Sequence, residues 1–207
     1  MFALRSIEVQ GAPAPVAARV RAALEPLVGS SLVTFDGTEA DRRLTALADV
    51  AAASYDRDFP HTLRVFVRPE RATAVLRRGA EAWLVSSRAR VLRPLGERPY
   101  PPLPRIWVAR TFDVSVGTTL SGHPGDAAKA LAPLARIRFP GAVRLVRVGD
   151  AELTLVLASG LEVRLGDTGD LPLKLEAARR IVPLAQRALY VDVSVPERSV
   201  AGFEPRV

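Results

Sequence analysis

The sequence predicts an α+β protein in two parts. A small β-α-α-β-β module comes first, and a larger, mostly antiparallel β domain with a C-terminal helix and strands follows. Three observations carry this. Within residues 2–69, two apolar stretches at helical spacing lie among runs that alternate. Beyond Pro69 the helical signal fades, and short apolar runs are parted by turn-forming dipeptides. Seventeen prolines and fourteen glycines punctuate those runs, which favours a loop-rich fold of many short strands.

Residues 2–9 (FALRSIEV) alternate as a strand, and Gly11-Ala12-Pro13 breaks it. Over residues 14–27, Val16, Val20, Ala23, Leu24 and Leu27 share one helical face. Pro15 falls in the first turn, where its missing N–H is no loss, and Gly29 ends the helix. Residues 30–35 form an extended link. Thr38 is placed to cap a second helix over residues 39–47, whose inner face carries Ala40, Leu44 and Leu47. Strands follow at 50–56 and 62–68, joined through Asp58-Phe59-Pro60-His61. The second, TLRVFVR, alternates as a strand covered on one face should.

In the second part, residues 73–76 and 82–86 flank Arg77-Arg78-Gly79 as a hairpin, and residues 90–92 add a strand. Five prolines between positions 94 and 104 mark a loop crossing the surface. Residues 125–135 make a short helix with Ala128, Leu131 and Ala135 on one face. Runs 142–148, 152–157 and 161–165, separated at Gly149-Asp150 and Ser159-Gly160, form a three-stranded meander. A last helix over 173–189 turns Leu175, Ala178, Ile181, Val182, Ala185 and Leu189 inward, with a kink at Pro183. Strands at 190–195 and 199–203 close the chain.

Composition narrows the chemistry. A hydrophobic share of 48% and a charged share of 25% are those of a chain with a real core. The formal charge is +7, yet only Lys129 and Lys174 are lysine, and the arginines are scattered. No dense basic run with interleaved aromatics is present, so nucleic acid is not an expected partner. Absence of cysteine excludes disulfides and thiolate metal sites. No stretch reaches the ~18 consecutive apolar residues a membrane span needs, and no signal-peptide core follows Met1. The chain as it stands is expected to be soluble.

Catalytic groups are thin. His61 falls in the hairpin turn, and His123 lies in the segment Ser121-Gly122-His123-Pro124-Gly125. Ser121 and His123 are close in sequence but lack the strand–turn–helix elbow that presents a nucleophile. Gly166-Asp167-Thr168-Gly169-Asp170 lacks the ligand spacing and closing Glu of a calcium loop; it reads as a polar turn before the last helix. No glycine-rich phosphate motif occurs. The expectation is no catalytic residue, no metal and no cofactor.

The order strand–helix–helix–strand–strand in residues 2–69 resembles a POTRA domain, a module of extracytoplasmic assembly proteins. Further segments are similar to the FtsQ/DivIB family of bacterial cell-division proteins. Residues 2–11 (FALRSIEVQG) resemble its first POTRA strand with the glycine-ended turn, and VAAASYDRDFPHTL (50–63) resembles its hairpin signature. Residues 68–74 (RPERATA) are similar to its hand-over segment, and Trp83-Leu84-Val85-Ser86 to the first hairpin beyond. Towards the end, GLEVRLG (160–166), Lys174-Leu175, Tyr190-Val191-Asp192-Val193 and Val200-Ala201-Gly202-Phe203-Glu204-Pro205 follow the family's order and spacing.

The resemblance implies a POTRA domain over 2–69 and an FtsQ-type β domain over 70–205. It also implies a scaffold that recruits septal proteins, FtsB/FtsL-type coiled-coil proteins among them, at the extracytoplasmic face of the cell membrane. Membrane attachment is implied only through an N-terminal anchor, which these residues do not carry.

A chain ending in a strand can leave an unpaired edge for a partner strand. Ser199, Val200, Ala201, Gly202 and Phe203 are the expected partner-binding edge. Phe203 is either an aromatic anchor or a cover for the core, and Gly202 either admits a close backbone or marks a bulge. Pro196 would interrupt a longer ladder. Arg57, Phe59, Pro60 and Thr62 of the hairpin form a second expected contact. Trp83 and Trp107 read as packing residues. The rival readings are another POTRA-bearing module that handles polypeptides and, third, a cell-envelope hydrolase using His123.

Overall fold

The computed structural model describes residues 2–97, 99–134, 137–149 and 152–203. Ala135, Asp150, Glu204 and Pro205, expected in a helix, a turn and the tail, lie outside the described residues. The chain divides into two compact units, residues 1–71 and 72–207.

The first unit runs β1 (Ser6–Gln10), α1 (Ala14–Leu24), a 3₁₀ turn (Glu25–Leu27), α2 (Gly37–Ala46), β2 (Val50–Asp58) and β3 (Thr62–Pro69). Its sheet has the order β1-β3-β2, with β1 parallel to β3 and β2 antiparallel to it. The alternation read in residues 62–68 is physical. Leu63, Val65 and Val67 are buried with Val16, Val20 and Leu24 of α1 and Ala40 and Leu44 of α2. Each such Leu or Val contributes roughly 1.5–3 kcal/mol relative to an exposed position.

Gly11 is dictated by space and angle together: its φ is +80°, and a Cβ would lie 2.6 Å from the Val67 carbonyl oxygen. Ordered strand begins at Ser6 rather than Phe2, and Ala3 makes an isolated bridge to Ser31. The expected cap Thr38 is corrected to Asp36. Its carboxylate accepts from the backbone N–H groups of Thr38 at 3.0 Å and Glu39 at 3.4 Å. The first helix stops at Leu24, where Pro26 tightens the chain into the 3₁₀ turn.

The second unit is one mixed sheet with two helices. Its strands are β4 (Ala72–Arg78), β5 (Glu81–Ser86), β6 (Val91–Leu95), β7 (Arg105–Trp107), β8 (Val143–Val148), β9 (Leu153–Leu157), β10 (Glu162–Gly166), β11 (Tyr190–Asp192) and β12 (Val200–Gly202). The helices are α3 (Gly122–Leu134) and α4 (Leu171–Ile181). The strand order is β12-β11-β10-β9-β8-β7-β4-β5-β6, and five of the eight pairings are antiparallel.

Alternation again assigns the faces. Leu155, Val163, Leu165, Val191 and Val193 join Ala127, Leu131, Leu175 and Ala178 in the main core. Residues one position out of phase, among them Arg147, Glu162, Arg164 and Tyr190, lie on the opposite, open face. At the β4–β6 end the proline-rich segment covers that face, packing Leu95, Tyr100 and Leu103 on Val75, Ala82 and Leu84.

The last helix departs from expectation. It spans Leu171–Ile181 and ends ahead of Pro183 instead of kinking through it, because the proline ring excludes the next helical turn. Lys174, buried in its first turns, donates to the carboxylate of Asp167 at 2.5 Å and to its carbonyl at 3.1 Å. That hydrogen bond, with one from Gly169 N–H, holds the Asp167 carboxyl below its usual range. Strand β7 had no counterpart in the sequence reading. Its three residues lie just after the prolines, with Ile106 buried.

Two helix-surface carboxylates are strongly depressed. Glu39 sits at about 2 chiefly because Arg42, then Arg43, hydrogen-bonds it; Glu176 sits at about 2 through Arg179 and Arg180. Carboxylates depressed by folding stabilise the fold above their ordinary value of 4.5, and that stabilisation is lost as pH falls from there to about 2. The melting temperature is expected to drop across this window, less steeply in a Glu39→Gln, Glu176→Gln variant. Both groups are partly exposed, so added salt should shrink the difference. Equal slopes for the two proteins in a pH series of melts would discount these networks.

Candidate partner-binding edge

Strand β12 is the outermost strand at one end of the nine-stranded sheet and, among the described residues, pairs with β11 alone. Its register sets Val200 against Asp192, Ala201 against Val191 and Gly202 against Tyr190. A strand in this place presents one row of backbone donors and acceptors with no neighbour in the sheet. It is short because the chain reaches it through a 3₁₀ turn, Pro196–Arg198, as expected of Pro196.

Four of the five expected edge residues fall into three kinds. Ser199 donates its hydroxyl to the Pro196 carbonyl at 2.9 Å and closes the turn. Ala201 is half-buried against the main core and anchors the strand. Val200, 55% exposed, and Phe203, 65% exposed, are open to solvent. The core-cover alternative for Phe203 is therefore set aside in the isolated chain.

Gly202 has a reason beyond chain flexibility. The distal end of the Tyr190 ring, Cζ and Oη, occupies the space where a Cβ would sit. An added side chain would overlap the ring, so glycine here is the seat for an aromatic neighbour. The close backbone approach expected at Gly202 is, on this side, an approach by the chain's own Tyr190. Arg164 of β10 stacks on that ring, its guanidinium carbon 3.9 Å from the centroid. Arg164 also lies 3.6 Å from Glu162 and 4.0 Å from Glu152, and Arg147 pairs with Glu162. These groups line a shallow cavity of about 330 Å³ on the open face. Asp192 spends its carboxylate locally, accepting from the N–H and hydroxyl of Ser194 at 3.0 and 2.7 Å.

The sequence offers Tyr190 only as an inner-strand residue secondary to the edge, and it does not single out Arg164. The usable signal was the phase of GLEVRLG, which turns Arg164 away from Val163 and Leu165 and towards the open face.

The second expected contact lies in the first unit, at the β2–β3 turn. Phe59 is half-exposed and packs edge-on against Phe2, ring centroids 5.4 Å apart. Pro60 beside it is exposed. Arg57 donates to the Val33 carbonyl at 3.2 Å, and Thr62 pairs with Asp58 and Ser6 inside the sheet. Phe59 and Pro60 are thus open, while Arg57 and Thr62 are partly committed to the fold. His61 donates from Nδ1 to the Ala3 carbonyl at 2.9 Å, a structural role. His123 lies in the first turn of α3. Among the described residues, no three His, Asp or Glu side chains gather as a metal site, and no helix is long and apolar enough to cross a membrane.

Comparison with known proteins completes the description. A family model described as POTRA domain, FtsQ-type, matches residues 2–69, the extent of the first unit's sheet and helices. No curated protein matched the chain. The FtsQ-type domain supports a division-related scaffold role, in a family of non-enzymatic scaffolds. The molecule joins this POTRA domain to a larger, mostly β part that ends in strands. Residues 2–69 match the FtsQ-type POTRA domain, which supports a POTRA-containing protein of the FtsQ/DivIB kind.

Proposed function

We propose that this chain is a non-enzymatic scaffold of the bacterial divisome, acting at the extracytoplasmic face of the cell membrane at the septum. It recruits FtsB/FtsL-type coiled-coil partners by adding a partner strand to β12. Residues 2–69 serve as its POTRA domain and residues 70–205 as an FtsQ-type β domain. The observation that carries the reading is the outer position of β12, with Val200 and Phe203 exposed beside it.

The physics of the step is simple. Backbone hydrogen bonds along the edge hold any strand, and flanking side chains select among strands. Phe203 supplies the apolar anchor, since a few buried aromatics dominate most interfaces. The β2–β3 turn, with Phe59 and Pro60 outermost, is proposed as a second contact for another septal protein.

Binding of the purified chain to the FtsB-type and FtsL-type proteins of the same genome tests this directly. A lysine at position 200 guards the edge, as charged residues guard natural edges, without touching the core. Val200→Lys is expected to weaken capture at least about tenfold. Unaltered capture by that variant would place the contact elsewhere, and capture of unfolded polypeptide alone would favour the polypeptide-handling reading.

A further inference from the structure

The Tyr190 hydroxyl is the group on this edge still to be accounted for. It makes no hydrogen bond with the described residues, although the rest of the side chain is tightly held. Gly202 beneath it and Arg164 against its ring fix where the phenol points. Its distal end overlies the outermost strand, on the open face, beside the place where an added strand would pair. A rigid aromatic whose polar tip stops at an unpaired edge is a reader for the next strand's side chain.

Charge decides what it reads. Beside the ring, the stacked Arg164 is matched by Glu162, and Asp192 is bonded to Ser194, so none of these groups offers an unmatched positive charge to a further carboxylate. A buried unpaired charge is costly, whereas a neutral donor–acceptor group matches a phenol, which can both give and take a hydrogen bond.

We infer that Tyr190 is a specificity-determining residue of the edge. It selects, across from Gly202 on the open face, a neutral hydrogen-bonding side chain (Ser, Thr, Asn or Gln) of the captured strand. This rests on the strand-addition reading and adds the chemistry of one partner position.

The test uses the full chain and the FtsB-type protein of the same genome. Tyr190→Phe keeps the ring over Gly202 and against Arg164 and removes only the hydroxyl. It is expected to weaken binding about tenfold, the effect of one interfacial hydrogen bond whose partner group is left unpaired. Leucine substitutions along the partner's captured strand should then reveal one neutral polar position with the same loss. At that position the two losses should not add.

Binding by Tyr190→Phe equal to that of the parent, or coupling to an acidic partner residue, overturns the inference. Amide exchange of β12 in the parent complex keeps the two levels apart. Slowed exchange with no Tyr190→Phe effect sinks this inference alone, and unaltered exchange sinks the edge reading together with it.

Discussion

Phe203→Glu is expected to leave the fold intact and to weaken capture of the proposed partner strand about a hundredfold or more. The side chain is 65% exposed and follows directly on β12, so a charge there removes almost no core contact. Surface substitutions of this kind usually move stability by less than about 0.5 kcal/mol, so circular dichroism and melting temperature should match the parent closely. On the proposed edge reading the partner covers this position, and a carboxylate would have to be desolvated there without a counter-ion. Loss of an aromatic anchor alone costs about 2 kcal/mol or more, and the buried charge adds to it. Affinity should fall about a hundredfold or beyond. A variant that unfolds would show that Phe203 supports the β domain, and the assignment of the edge would fail with it.

Gly202→Val acts through a different cause and strikes both stability and binding. The new side chain competes with the Tyr190 ring for one space, so the ring must leave and the Arg164 stack is lost. Overpacking of this kind costs typically about 1–3 kcal/mol, and the displaced ring would also disturb the face a partner strand meets. A melting temperature several degrees lower and loss of capture are expected together. The double variant Gly202→Val, Tyr190→Ala should recover much of the stability, because the two changes relieve one clash and couple strongly. Additive destabilisation in that pair would mean the ring and the glycine are independent.

The first unit was legible because its elements announce themselves locally. Leu63, Val65 and Val67 alternate, Val16, Val20 and Leu24 recur at helical spacing, and Gly11 marks the turn from β1 into α1. The meander at β8–β10 was legible for the same reason. Strand β7 was not, since a three-residue strand with Ile106 as its buried residue owes its existence to β4 and β8 on either side. Asp36 displaced Thr38 as the cap because both are good capping residues, and only the backbone path chooses between them.

The edge was half visible. That a closing strand lies within residues 199–203 follows from sequence; that no described strand pairs beyond Val200–Gly202 depends on the order of nine strands. The seating of Tyr190 on Gly202 needed the register of β11 against β12, which no local pattern encodes.

Amide hydrogen exchange of the free chain and of its complex with the FtsB-type partner addresses strand addition at its source, the backbone of residues 199–203. The account predicts rapid exchange at these amides in the free chain, slowed at least about tenfold once the partner is bound. Stable complex formation with exchange at 199–203 unchanged, and protection confined to other segments, would contradict it.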